Sequence, residues 1–228
     1  MNLYNFNFGK LYVHSNDLIS QNLIKDKNWE SYHDPIINKY INKDSIVLDI
    51  GANIGIFTVK CASKCKYIYS FEPYSKNYEL LVKNIYINNF CNITPYFFAI
   101  SDKLDITKIN WITPNNLGAI GLDISLDKNT EYCEYISSLT KDNDKITIMT
   151  NSLDNLNLSK VDFIKIDTEG CEFLCIKGGL NLLKKNTPIL LIEHNTEEQK
   201  IQMLEFLHSH NLFYTQIYLQ SHDYLYTI

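Results

Sequence analysis

Short apolar runs recur along the chain at Ser45–Ile50 (SIVLDI), Tyr67–Phe71 (YIYSF), Ile93–Phe98 (ITPYFF), Val161–Ile166 (VDFIKI) and Ile189–Ile192 (ILLI). Their length and their β-branched and aromatic content predict strands. Helical periodicity follows most of them, at Gly55–Lys64, Ser75–Asn88, Cys171–Lys184 and Thr196–Asn211, the last carried by Met203, Leu204 and Leu207. Strands alternating with helices predict an α/β fold around a parallel sheet. The run Leu212–Ile228 reads as a pair of strands added at the sheet edge. Two regions stand outside the alternation. Residues 1–44 combine a Tyr/Phe-rich start with a helix expected around Ile36–Ile41, which would close over a sheet edge or over a ligand. Residues 103–145 form a polar insertion with Trp111, Gly118 and Gly121, too long for an ordinary connection, that either carries substrate contacts or is a tolerated loop. There is no internal repeat, Gly/Ser-rich or Pro-rich linker or like-charge block, so residues 1–228 are expected to be one domain: an N-terminal extension, then a core from residue 45.

Composition narrows the partners. At 228 residues, 45% apolar, the chain is long enough for one sizeable core. All 21 basic residues are lysine and the net charge is -5, so the planar forks that favour phosphate and guanine are missing, and nucleic acid is a disfavoured partner. No apolar run approaches the ~20 residues that span a bilayer, and the first residues do not read as a secretion signal. A soluble cytoplasmic protein with no membrane partner is the expectation. Cys61, Cys65, Cys91, Cys133, Cys171 and Cys175 are too scattered for a disulfide framework. The pairs Cys61/Cys65 and Cys171/Cys175 lie in amphipathic segments and read as packing residues, not as a zinc site.

The strand SIVLDI runs into GANIG and a helix, the place where an open α/β sheet sets a ligand beside backbone N–H groups. A nicotinamide fingerprint would need glycine at 51, 53 and 56, yet Asn53 and Ile56 stand at two of them. The spacing Asp49-x-Gly51-x-Asn53-x-Gly55 instead fits a strand-end carboxylate, a tight turn, and an Asn that tolerates positive φ. Glu72 follows Gly51 by 21 positions, where doubly wound folds place a carboxylate on a ribose diol. Either carboxylate could alternatively be a helix cap or a solvated strand-end charge.

A second acidic group gathers at the next strand ends. Asp167, Glu169, Gly170 and Glu172 follow FIKI, and Glu193 and His194 follow ILLI. Carboxylates at such a rim could position an organic cation, coordinate a hard divalent metal, or take a proton from a hydroxyl, and all three remain open. Glu172 reads mainly as a helix-dipole partner and Lys165 as an ion-pair scaffold. His194 is a candidate base, whereas His208 and His210 read as surface helix residues.

Taken in order, VLDIGANIGIFTV, SFEPYSKNYELLVKNIYINN, AISD, SLDNL, FIKIDTEGCEFLCIKGG and ILLIEHN resemble FkbM-type methyltransferases over about residues 29–195. The resemblance implies a class I, Rossmann-like, doubly wound fold with a mostly parallel seven-stranded sheet that uses S-adenosylmethionine. By position it implies Asp49, Gly51, Ala52, Asn53 and Gly55 on the methionine side of the cofactor, Glu72 on the ribose, Ser101 and Asp102 near the adenine, and Asp167 near the reacting end. It further implies a small-molecule or carbohydrate hydroxyl acceptor, with His194, Glu193 and Asp167 as the catalytic candidates. A divalent metal is possible but not predicted, and a monomer or homodimer is expected. The competing readings are a nucleic-acid (cap or ribose) methyltransferase and a catalytically silent glycan- or partner-binding module.

Overall fold

The computed structural model describes residues 2–15, 17–113, 116–122 and 146–228. A hairpin, β1 (Asn2–Phe6) and β2 (Gly9–Val13), precedes α1 (Leu18–Asp26) and α2 (His33–Tyr40). The alternation then runs β3 (Ile46–Ile50), α3 (Ile56–Ala62), β4 (Tyr67–Phe71), α4 (Ser75–Ile87) and β5 (Ile93–Tyr96). Next come the short strands β6 (Ala99–Ser101), β7 (Asp105–Thr113), β8 (Asn116–Leu122) and β9 (Thr147–Ser152). The chain continues with β10 (Phe163–Ile166), α5 (Glu172–Lys177), α6 (Leu180–Asn186), β11 (Ile189–Glu193), α7 (Glu197–Ser209), β12 (Thr215–Tyr218) and β13 (Asp223–Thr227).

The main sheet has seven strands in the order β12-β13-β11-β10-β3-β4-β5. β11, β10, β3, β4 and β5 are mutually parallel, and β13 alone runs against its two neighbours. The predicted mostly parallel sheet, with a C-terminal strand pair at its edge, is therefore what forms. Its central strands are buried on both sides, which is why they read as unbroken apolar runs. Leu48, Ile50, Ile164, Ile166, Leu190 and Ile192 meet α5, α6 and α7, while Val47, Phe163 and Leu191 meet α2 and α3 on the other face. This alternation decides later which strand-end residues can share a site.

Local physics moves several boundaries. Of ITPYFF only Ile93–Tyr96 forms a strand, β5; after Phe97 and Phe98 the separate strand β6 pairs in parallel with β9 instead of continuing the main sheet. The single helix expected over Cys171–Lys184 breaks into α5 and α6, because a Cβ at Gly178 would stand 2.1 Å from the Ser101 carbonyl oxygen. α7 begins where expected, on a capping box between Thr196 and Gln199. The polar insertion is partly ordered structure: β7 and β8 join β6 and β9 in a four-stranded sheet. The Trp111 side chain, Cys133 and residues 123–145 lie outside what is described.

The N-terminal hairpin is absent from the sequence reading and has a clear anchor. The Asn84 side chain on α4 accepts from the Tyr12 N–H and donates to the Tyr12 carbonyl, and Asn88, one turn on, does the same for Lys10. Two amides thus mimic a neighbouring strand for β2. Leu11, Val13 and Leu23 complete the attachment by packing on Ile54, Ile56, Val59 and Leu80, so the extension folds over the loop that follows β3.

Candidate functional site

That loop is held open by its backbone. Gly51 and Gly55 have φ of 78° and 89°, and Asn53 has 52°, an αL conformation that Asn tolerates. A Cβ on Gly51 would lie 1.8 Å from the Asp167 carbonyl oxygen, so only glycine allows the β3 and β10 ends to approach this closely. The Gly51 and Ala52 N–H groups donate to the Phe71 carbonyl, fastening the loop to β4. Glu72, directly after β4, accepts from the Asn53 N–H at 2.8 Å and from the Tyr74 N–H at 2.8 Å. Burial pushes its carboxyl up to about 7 despite these two bonds.

A cavity of about 220 Å³ opens over the carboxyl ends of β3, β4, β10 and β11, roofed by the N-terminal extension. Gly51, Ala52, Asn53, Glu72, Asp167 and Glu193 all line it, as the sequence predicts. Its Glu72 end is apolar, with Ile50, Phe71, Ala99 and Ile100. At the other end Lys165 donates to Asp167 Oδ2 at 2.9 Å and approaches the Gly51 carbonyl at 3.5 Å. Burial opposes the Lys165 charge, but the carboxylates of Asp167, Asp49 and Glu30 outweigh it and hold the ammonium above its ordinary range.

One oxygen each from Asp167, Glu169 and Glu193 lie within 4.8 Å of one another, a set of hard donors that a divalent or an organic cation could share. Glu193 Oε2 is buried with no hydrogen-bond partner. Burial first, then the crowding of Asp167, Glu169, Glu172 and Asp223, pushes the Glu193 carboxyl up to about 11. Glu172 faces inward on its own turn, accepting from Thr168 and Gly170, which supports its reading as a structural cap.

Five expected residues stand elsewhere. His194 is the main correction. It follows Glu193 by one position, so the strand alternation turns it to the opposite face, where Nε2 meets the Tyr226 hydroxyl at 2.7 Å. Burial lowers it to about 4, and it has no route to the cavity. Ser101 is buried in β6, and Asp102 pairs with Lys177 at 2.9 Å. The β6 end therefore offers Ala99 and Ile100 to the cavity in their place. Asp49 lies beneath the floor, fully buried between Lys165 and Ser70 of the adjacent strands, and accepts from Thr58. Gly55 shapes the start of α3 against Leu81 without lining the cavity.

A cover from residues 1–44 is among the expectations, but the sequence reading names none of its lining residues. Leu18 and Ile19 of α1, Trp29 and Glu30 before α2, and Asn77 and Asn116 all line the cavity. Behind Glu30, His33 Nδ1 lies 3.2 Å from Glu30 Oε2 and His33 Nε2 lies 2.7 Å from Asp223 Oδ2. Burial works against the imidazolium, but hydrogen bonds to Asp223 and Glu30 lift His33 to about 9. No local motif marks Trp29-Glu30: Lys60, which binds the Trp29 carbonyl, is 31 residues away, and Asp223, which backs His33, is 190 residues from it.

A mostly parallel seven-stranded sheet with one antiparallel strand, a glycine loop after its central strand and an acidic residue ending the next defines a class I methyltransferase fold. The model of the methyltransferase FkbM domain matches residues 49–226, and the chain belongs to that family. Among solved structures it resembles the methyltransferase FkbM from Methylobacillus flagellatus KT (16% identity, TM-score 0.56, covering 82% of this chain and 44% of that one). The chain thus spans less than half the length of that relative. A putative rRNA methylase from Clostridium thermocellum is also similar (13% identity, TM-score 0.51, 85% and 90% covered). So is the precorrin 8w decarboxylase of Methanobacterium thermoautotrophicum (12% identity, TM-score 0.50, 87% and 90% covered). These likenesses concern the fold alone. No curated protein matches the sequence. Among the described residues, no helix is long and apolar enough to cross a membrane.

The residues fit S-adenosylmethionine, the cofactor the resemblance implies. Glu72 would present its buried carboxylate to a ribose diol, Ile50, Phe71, Ala99 and Ile100 would offer apolar faces to an adenine, and the Gly51 turn leaves room that any Cβ would fill.

Proposed function

We propose that this enzyme transfers the methyl group to a hydroxyl of a small neutral acceptor, with a carbohydrate as the favoured class. The observation that carries the reading is Glu193, whose buried Oε2 lacks a partner beside Asp167 and Glu169 in the cavity. Three carboxylates this close cannot all stay ionised, so Glu193 holds a proton. When bound, S-adenosylmethionine would supply an electrophilic methyl and a positive charge. Beside that charge Glu193 would release its proton to solvent, and the freed carboxylate, its basicity still supported by Asp167 and Glu169, would accept the proton of an acceptor hydroxyl as the oxygen attacks. Asp167, fixed by Lys165, accepts a hydrogen bond from the acceptor and orients it. Trp29 offers an aromatic wall of the kind sugars stack on. The sugar class is supported by the family resemblance together with this combination of carboxylates and an aromatic residue.

The test is a panel of neutral sugars, polyols, phenols, amino sugars and RNA, assayed with isotope-labelled methyl donor. Methyl transfer to neutral sugars, with an ether product, is the expected result. Transfer to RNA or to amines alone would overturn the reading.

A further inference from the structure

The match to the FkbM domain begins at residue 49, so nothing in it accounts for Leu18, Ile19, Trp29 and Glu30, which the N-terminal extension lowers into the cavity. Glu30 is the charged one, and it is unusually well held. His33 and Asp223 stand behind it in a buried chain, and the Tyr32 hydroxyl donates to the same Asp223 oxygen at 2.8 Å. The preceding carbonyl, that of Trp29, accepts from Lys60 Nζ at 2.6 Å, and Lys60 also pairs with Asp34 at 3.0 Å. Glu30 itself sits at φ 47°, a conformation that costs a non-glycine residue roughly 1 kcal/mol or more and persists only where its surroundings enforce it. Burial alone would raise the Glu30 carboxyl, but the hydrogen bond and charge of His33, with Lys165, outweigh it and keep Glu30 ionised.

Lys165 is the only cationic side chain lining the cavity among the described residues. Two of its three N–H bonds point to Asp167 and the Gly51 carbonyl, leaving the third for another acceptor beside the glycine loop. Each of Glu30 and Lys165 lies within electrostatic range of the other. One fixed anion and one fixed cation, both lining the cavity, are the complement of an α-amino acid head group. A sulfonium alone would call only for carboxylates, and Asp167, Glu169 and Glu193 already supply those.

We propose that Glu30 and Lys165 clamp the zwitterionic head of the cofactor's methionine half, Glu30 taking the ammonium and Lys165 the carboxylate, with His33 as the residue that positions Glu30. The inference rests on S-adenosylmethionine being the cofactor. It makes the N-terminal extension part of the cofactor site as well as a cover for it.

Calorimetric titration with three ligands tests it: S-adenosylmethionine, S-adenosylhomocysteine, which keeps the head group but lacks the sulfonium, and methylthioadenosine, which lacks the head group. Glu30→Gln is expected to weaken the first two by a similar factor, about tenfold, and to leave methylthioadenosine unchanged. Glu30→Asp is expected to recover part of the loss, and His33→Gln to give a smaller loss with the same ligand pattern. Unchanged methylthioadenosine binding also shows that each variant is folded. Equal loss on all three ligands would make Glu30 merely structural, loss on S-adenosylmethionine alone would assign it to the sulfonium, and no loss would remove it from the site. Each of these overturns the clamp while wild-type binding stands. Failure of the wild type to bind any of the three would overturn the cofactor reading itself, and the clamp with it.

Discussion

The two ends of the cavity are built by different means. At the Glu72 end, one loop and one strand end do everything: Gly51, Ala52, Asn53 and Glu72 lie within 22 residues, and backbone N–H groups hold the carboxylate. At the other end, Glu30, Lys165, Asp167 and Glu193 come from three distant parts of the chain, held by side chains such as His33, Lys60 and Asp223. The first end is pre-organised by local backbone and suits an invariant ligand. The second depends on tertiary packing and carries most of the cavity's charge, so it is where acceptor choice and proton transfer would reside.

The sharpest way to break this contrast is the backbone itself. Gly51→Ala forces a Cβ to within 1.8 Å of the Asp167 carbonyl at a φ of 78°. A stability loss of about 3 kcal/mol or more is expected, read by denaturant unfolding. A change below 1 kcal/mol would mean that the β3 and β10 ends are less tightly apposed than described.

Next in size is Glu193→Gln, expected to lower turnover on the identified acceptor by about 100-fold or more while leaving cofactor affinity within a few-fold. Glu193 also has a pH signature. Its folded pKa, about 11, lies above the ordinary value of 4.5, so the native state holds a proton that the unfolded chain releases. Stability therefore falls as pH rises above 4.5. The variant removes that contribution and should melt higher than wild type, by a margin that widens from pH 5 to pH 9. A constant margin would contradict the account of crowded carboxylates.

The smallest effect belongs to His194. Its folded pKa, about 4, lies below the ordinary value of 6.5, so stability is lost as pH falls from 6.5 toward 4. His194→Gln should flatten that loss, cost roughly 1 kcal/mol through the Tyr226 hydrogen bond, and leave turnover unchanged. A large fall in turnover would return His194 to the site.

These residues also show why one end was legible in the sequence and the other only in part, through Asp167 and Glu193. Gly51, Asn53 and Glu72 act through φ angles and strand-end positions, which short spacings encode. The main sheet was legible for the same reason, since its strands are buried on both faces and read as apolar runs. Glu193 and His194 look alike in ILLIEHN, because both faces of β11 are apolar and polarity does not reveal which way each residue turns. Only the placement of Leu191 against α2 and α3, and of Ile192 against α5 to α7, separates them. Glu30 carries no local signal at all. It becomes part of the site through Asn84, Asn88, Lys60 and Asp223, which fasten the extension to α4, α3 and β13.

The most direct test of the division into a binding end and a reacting end is a titration of wild type, Glu72→Ala and Glu193→Gln with S-adenosylmethionine. Glu72→Ala should lose about tenfold or more in affinity as its ribose hydrogen bonds disappear, with Glu193→Gln remaining within about threefold of wild type. Equal losses in the two variants, or a loss confined to Glu193→Gln, would contradict the division.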